Sequence, residues 1–186
     1  VAFTKGMDGM TLPAGNQDCV NLLYTDYDSA YQQINTEKIN KVLDAVAKEK
    51  PDLTVALVHW GSEFNDSVST TQEKISKLML EKGVDAIIGT HPHYLQQMVF
   101  DEAAGTFIAY SLGDFFGDAQ RSGSEYSVVL DLEISQTVDG VTKITGYHYT
   151  PIYTISDEDT LRVVRIRETM DAFDSKYIGS VSQSTY

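Results

Sequence analysis

Three of the four histidines in this 186-residue chain fall just beyond apolar runs. His59 closes the run LTVALVHW, and His91 and His93 sit in Gly89-Thr90-His91-Pro92-His93, directly after VDAIIG. Neutral imidazole is the common nitrogen ligand for Zn, Mn and Fe. Two histidines at i and i+2 of an extended loop can chelate one ion or face two, and Pro92 stiffens the backbone between them. His59 taken alone reads first as a satisfied turn or core residue, so the pair is the stronger ligand candidate. His148, between Tyr147 and Tyr149, reads as a packed or surface histidine of a strand. Ser111 lacks the surroundings of a nucleophile elbow, and the chain has neither a phosphate loop nor a dinucleotide fingerprint. Tyr147, Tyr149 and Tyr153 could stack a sugar or peptide, but same-face strand aromatics more often pack on a neighbouring layer.

Such residues act together only if strands bring them to one edge, and in open α/β sheets ligands gather at the carboxyl ends of the strands. The pattern supplies those strands. Residues 1–4 read as a strand, followed over residues 5–35 by a long Gly-, Asp-, Asn- and Tyr-rich loop with a short strand at 20–24. A loop of that length is unusual unless it is functional or ordered by a partner. Ile39, Val42, Leu43 and Val46 recur at helical spacing behind a cap at Asn35 or Thr36, which predicts a helix over 37–49 ending before Pro51. Residues 53–60 and 84–89 read as buried strands. Between them, a helix starts at Thr70, with Thr70 and Glu73 in capping-box spacing. Its apolar face is Ile75, Leu78 and Met79, and Gly83 stops it. Strands alternating with helices imply parallel pairing.

Beyond residue 94 the pattern turns β-rich. Residues 95–101 and 106–111 read as strands joined by the turn Glu102-Ala103-Ala104-Gly105. Val128, Leu130, Leu132 and Ile134 alternate with Val129, Asp131, Glu133 and Ser135, as a half-buried strand requires. Asp139-Gly140 signals a hairpin into a long strand over 141–153, and 161–166 pairs alongside. A short helix is expected over 167–173, and the polar tail 180–186 is expected to fray. The chain is read as a single domain over 1–186, with a motif-bearing region at 53–116 and a β-rich region at 125–166.

Acidic residues outnumber basic ones 27 to 14, a formal net charge of -13, which disfavours nucleic acid and anionic headgroups and favours cations or neutral ligands. One cysteine, Cys19, excludes an intrachain disulfide without fixing the compartment. No run approaches the roughly 18 apolar residues of a membrane span. The opening at Val1, already strand-like, suggests a trimmed piece without signal or anchor.

Four pieces in order carry a family resemblance: His59-Trp60-Gly61 with Glu63; Gly83-Val84-Asp85-Ala86-Ile87-Ile88-Gly89; His91-Pro92-His93; and Tyr110-Ser111-Leu112-Gly113-Asp114-Phe115. Together they resemble the late motif block of the bacterial capsule-synthesis CapA family, associated with poly-γ-glutamate, within the calcineurin-like metallophosphoesterase superfamily. The resemblance implies the C-terminal half of a layered α/β (α+β) sandwich, with a mixed sheet, flanking helices and long antiparallel strands. It places His59, His91 and His93 as ligands of a divalent metal pair (Mn, Zn or Fe), and Glu63 and Asp114 as groups contacting substrate or supporting the ligands. Two positions depart from the family pattern. Thr90 stands where a histidine is usual, and Asp114 where an asparagine is usual, so a carboxylate replaces an amide; a turn-forming role after Gly113 is the first reading of Asp114, ahead of a catalytic one.

The family's early motifs have no counterpart between Val1 and Pro51: a Gly-Asp strand end, an Asn-Leu-Glu segment and an Asn-Asn-His segment. Three histidines without bridging carboxylates do not assemble a two-metal site, so the isolated chain is expected to be weak or inactive. The resemblance implies a parent at the bacterial membrane or cell surface that acts as a hydrolase or transferase. Its substrate would be a phosphoester, or an amide or ester of a cell-envelope polymer. A rival reading is a non-catalytic assembly or export component whose inherited site binds polymer or a partner. A third has strand edges left bare by the missing N-terminal half paired with a second copy as a homo-oligomer.

Overall fold

The apolar runs become two sheets flanked on one side by helices in the computed structural model, which describes residues 1–117, 121–157 and 160–171. β1 (Ala2–Thr4) is followed by helix α1 (Thr36–Lys48), β2 (Val55–His59), helix α2 (Thr70–Glu81) and β3 (Ala86–Thr90). β4 (Met98–Asp101) and β5 (Thr106–Ala109) complete a five-stranded sheet ordered β1-β2-β3-β5-β4. β1, β2, β3 and β5 pair in parallel, and β4 lies antiparallel on β5. The helices are the crossovers that parallel pairing requires.

Helix α1 starts as the sequence predicts, with the Asn35 side chain accepting the Lys38 N–H at 3.0 Å. Helix α2 starts one residue earlier than predicted. Ser69, not Thr70, is the cap, and its reciprocal partner is Gln72, not Glu73. Burial decides between them. Gln72 is 1% exposed and also donates to Gln96 at 2.9 Å, whereas Glu73 points to solvent. The strand expected at 20–24 is reduced to single bridges, Thr4 with Leu22 and Tyr24 with Ile34. Its backbone still works as an edge, because Thr4 N–H donates to the Asn21 carbonyl and Leu23 N–H to the Thr4 carbonyl. Residues 21–24 therefore cover the outer edge of β1, burying Leu22, Leu23 and Tyr24.

One face of the sheet (Phe3, Ala56, Val58, Ile87, Ile108) packs on Ile39 and Leu43 of α1 and Ile75 and Met79 of α2. The opposite face offers Ala86, Phe107 and Ala109, and it is covered by a second sheet through Ile144, Leu130, Leu132 and Tyr147. That sheet is antiparallel, β6 (Tyr126–Gln136), β7 (Thr142–Asp157) and β8 (Thr160–Arg165) in that order. The result is a layered sandwich of helices, mixed sheet and antiparallel sheet, as two-faced apolar sheets require. A register shift between Glu133 and Ile134 breaks the predicted alternation of β6, and Ile134 is 52% exposed while Ile144 opposite it is buried. A short helix α3 (Ile166–Asp171) follows β8. The rest of the helix predicted to reach 173, and the tail 180–186, lie outside the described residues.

Candidate functional site

Parallel register places three strand ends side by side, since Thr4 pairs with His59 and His59 with Thr90. The residues that follow each strand form one cleft of about 640 Å³, lined by Lys5, Tyr31, His59, Glu63, His91 and His93 among others. Trp60, next to His59, turns inward and is fully buried. Its indole N–H donates to the Tyr110 carbonyl at 2.9 Å and its ring stacks on Tyr110. The indole passes directly over Gly89, where a Cβ would collide with it and with the Tyr110 carbonyl. This close approach explains the glycine before the histidine loop. Phe64 N–H donates to the Pro92 carbonyl at 2.7 Å, tying the His59 loop to the His91–His93 loop. His91 and His93 adopt φ of +99° and +62°. Such left-handed backbone costs a non-glycine residue about 1–3 kcal/mol and gathers at functional sites.

The three histidines that the sequence singles out meet here. The rings of His59 and His91 lie 4.4 Å apart and those of His91 and His93 6.3 Å apart. Glu63 lines the same cleft. Asp114 stands behind it, both carboxylate oxygens 2.9 Å from His93 Nδ1. A carboxylate only accepts, so Nδ1 carries the proton and Nε2 is left to serve the cleft. Phe64 stacks on His93 at 5.3 Å, and the Arg121 guanidinium lies 4.6 Å over Phe64. His148 is elsewhere, paired with Glu133 at 2.7 Å on an exposed strand face.

Lys5 is the residue that sequence reasoning missed. Its ammonium donates to the Gly61 carbonyl at 2.8 Å, lies 3.2 Å from His91 Nε2, and sits 4.6 Å above the Tyr31 ring. The available signal was positional: Lys5 directly follows a parallel strand, as His91 does. Burial lowers the Lys5 pKa, with Glu63 opposing. Burial also lowers that of His59, assisted by Lys5 and His93 and opposed by Glu63. His91 is pushed down to about 4, by burial first and then by Lys5, His59 and His93, so it is neutral near pH 7.

Whether a metal pair fits these residues can be tested on the donors. Among the described residues no three His, Cys, Asp or Glu side chains are grouped so as to hold an ion. No carboxylate bridges the histidines, and an ammonium already occupies the His91 Nε2 position that an ion would take. As arranged, the described residues do not by themselves fit a metal pair.

The sequence model of the family described as "Bacterial capsule synthesis protein PGA_cap" matches residues 2–119. The "Capsule biosynthesis protein CapA" of Bacillus anthracis is 42% identical over 82 residues, 44% of this chain and 19% of that protein. The "PGA biosynthesis protein CapA" of Bacillus subtilis (strain 168) is 32% identical over 108 residues, 56% of this chain and 28% of that protein. The matched stretch thus spans 19% and 28% of the length of these two relatives.

Proposed function

Since this chain belongs to the PGA_cap family of bacterial capsule synthesis proteins, we propose that its cleft is the histidine-bearing part of a hydrolase-type site acting in capsule synthesis. The observation that carries this reading is the convergence of His59, His91 and His93, from two strand-end loops, on one cleft that Glu63 also lines. Their assigned work is to present neutral nitrogen donors, with His93 oriented by Asp114 and Glu63 contacting the substrate. The bridging carboxylates that two closely spaced divalent ions need come from protein outside these residues. The substrate is a phosphoester or an amide of a cell-envelope polymer, met at the bacterial membrane or cell surface, and this chain alone has weak or no turnover.

The test is a Mn²⁺ titration of the chain followed by paramagnetic broadening of its four histidine rings. Selective broadening of His59, His91 and His93 with His148 sharp supports the reading. Broadening only of surface carboxylates, which the net charge of -13 makes the default for a nonspecific cation, sinks it. The ammonium seated in the cleft favours one rival: a non-catalytic assembly or export component whose cleft holds polymer or a partner. That rival predicts polymer binding that chelators leave unchanged.

A further inference from the structure

Phe64 is held more firmly than a half-buried loop residue needs. It belongs to neither apolar cluster of the sandwich, and it does not itself line the cleft. Its backbone is left-handed, with φ of +54°, a conformation that a bulky side chain keeps only where its surroundings enforce it. That enforcement comes from both sides of the residue. Its own N–H is bound to the Pro92 carbonyl. Just beyond it, the buried Gln96 amide donates to the Asn65 carbonyl at 2.9 Å and to the Ser67 carbonyl at 3.0 Å. Gln96 in turn accepts from Gln72, also buried, at 2.9 Å. What this fixed backbone presents is a ring. It lies 19° from parallel to the His93 imidazole, with 5.3 Å between centroids, and meets Tyr94 edge-on at 5.9 Å. The Arg121 guanidinium covers it at 4.6 Å, from a turn that Tyr94 holds through a 2.7 Å bond to the Ser122 carbonyl.

We infer that Phe64 is a positioning residue, whose ring sets the plane of the His93 imidazole and so the direction in which Nε2 points. This rests on the reading of His93 as a nitrogen presented to the cleft. Asp114 alone leaves that direction open. Its two oxygens at Nδ1 decide which nitrogen carries the proton, but the ring can still rock about that contact. A stacked aromatic face resists the rocking, because tilting the imidazole away gives up contact over the whole ring. Reacting groups have to be held to within about 0.5 Å and 10–20° by neighbours that lock their rotamers. His93 sits in a loop at φ of +62°, so no strand supplies that lock. The buried Gln72–Gln96 pair thereby gains a use: its chain of amide bonds holds the backbone after Phe64 from inside the fold.

The deciding measurement is ¹³C relaxation dispersion at Cδ2 and Cε1 of the imidazoles in the whole chain, with no cation added. His93 is expected to be free of exchange in the wild type. Phe64→Leu keeps an apolar side chain without a ring face, and it is expected to raise the exchange contribution at His93 by about threefold or more while His148 stays unchanged. Phe64→Tyr is expected to restore the wild-type value. Gln96→Leu, which touches neither ring, is expected to loosen His93 in the same sense as Phe64→Leu. Phe64→Met replaces Phe64→Leu if the latter fails to fold. A His93 ring that relaxes alike in the wild type and Phe64→Leu overturns the inference. So does equal loosening in Val42→Ala, which thins the helix layer away from this loop. If His93 loosens as expected while Mn²⁺ broadens none of the three histidines, the orientation by Phe64 stands and the ligand reading falls. If Mn²⁺ broadens all three while His93 is indifferent to Phe64, only this inference falls.

Discussion

Asp114 follows Gly113, whose φ of +73° turns the chain so that the carboxylate reaches His93 Nδ1 with both oxygens at 2.9 Å. A carboxylate fixes the imidazole tautomer more firmly than an amide, because an amide can present either its oxygen or its NH₂ to the ring. Asp114→Ala is therefore expected to release His93 from the Nδ1–H form, read in the imidazole ¹⁵N shifts, with the melting temperature nearly unchanged. A His93 tautomer indifferent to this change would reduce Asp114 to a turn-former. Gly89 poses the complementary case, in which a missing side chain is the functional feature. An added Cβ meets the Tyr110 carbonyl and the Trp60 indole, whose buried hydrogen bond would have to open. Overpacking and an orphaned donor together make Gly89→Ala cost about 3 kcal/mol, measured by urea denaturation. A loss well under 1 kcal/mol would mean that the Trp60 ring has room to move.

At the scale of elements, the strands carrying His59 and His91 were legible because central parallel strands read as unbroken apolar runs, although the burial expected of the first is one-sided, with Leu57 of β2 55% exposed. Helix α1 was legible because its face repeats at helical spacing. The start of α2 was not. Both Ser69 and Thr70 have a polar partner three residues on, and only the burial of Gln72 selects the first. Ser69→Ala should then cost about 1 kcal/mol in denaturant unfolding, and Thr70→Ala much less; the reverse order would restore the register read from sequence. The segment 21–24 escaped recognition as the cover of β1 because it binds through backbone groups, which leave no side-chain pattern. The convergence of the histidines was legible from their places after strands, but Lys5 was not, since an isolated lysine carries no motif. Tyr24, buried at the end of that covering segment, adds a pH dependence. Burial first, and Asp26 second, raise its pKa above the ordinary 10.0. A raised folded-state pKa means that the folded chain keeps its proton longer, so the stability contributed is whole below pH 10 and is lost as pH climbs through the raised value. Tyr24→Phe lacks this loss, and its unfolding free energy should fall less steeply above pH 10 than that of the wild type. Parallel slopes would show that Tyr24 ionises without unfolding cost.

For the whole molecule the question is whether the antiparallel sheet is an attached layer or part of one cooperative unit. Its docking rests on Ile144, 1% exposed against Ala86, Phe107 and Ala109, on the face of the mixed sheet opposite the helices. The same sheet reaches the site by a second route. Ser127 Oγ donates to the Leu112 carbonyl at 2.7 Å and Ser127 bridges Gly113, so β6 holds the loop that presents Asp114. Both links argue for a single domain in which loosening the far layer loosens the histidines. Ile144→Ala should remove roughly 2–5 kcal/mol by leaving a cavity between the sheets. The chain has one tryptophan, Trp60, buried on the helix side of the mixed sheet, so its fluorescence reports the layer that does not contain the mutation. In a cooperative domain the Trp60 transition moves to lower urea in Ile144→Ala together with the near-ultraviolet signal of the β7 tyrosines. If the tyrosine signal melts early while the Trp60 midpoint stays in place, the antiparallel sheet unfolds by itself. The loops that carry the histidines would then be held by the mixed sheet alone.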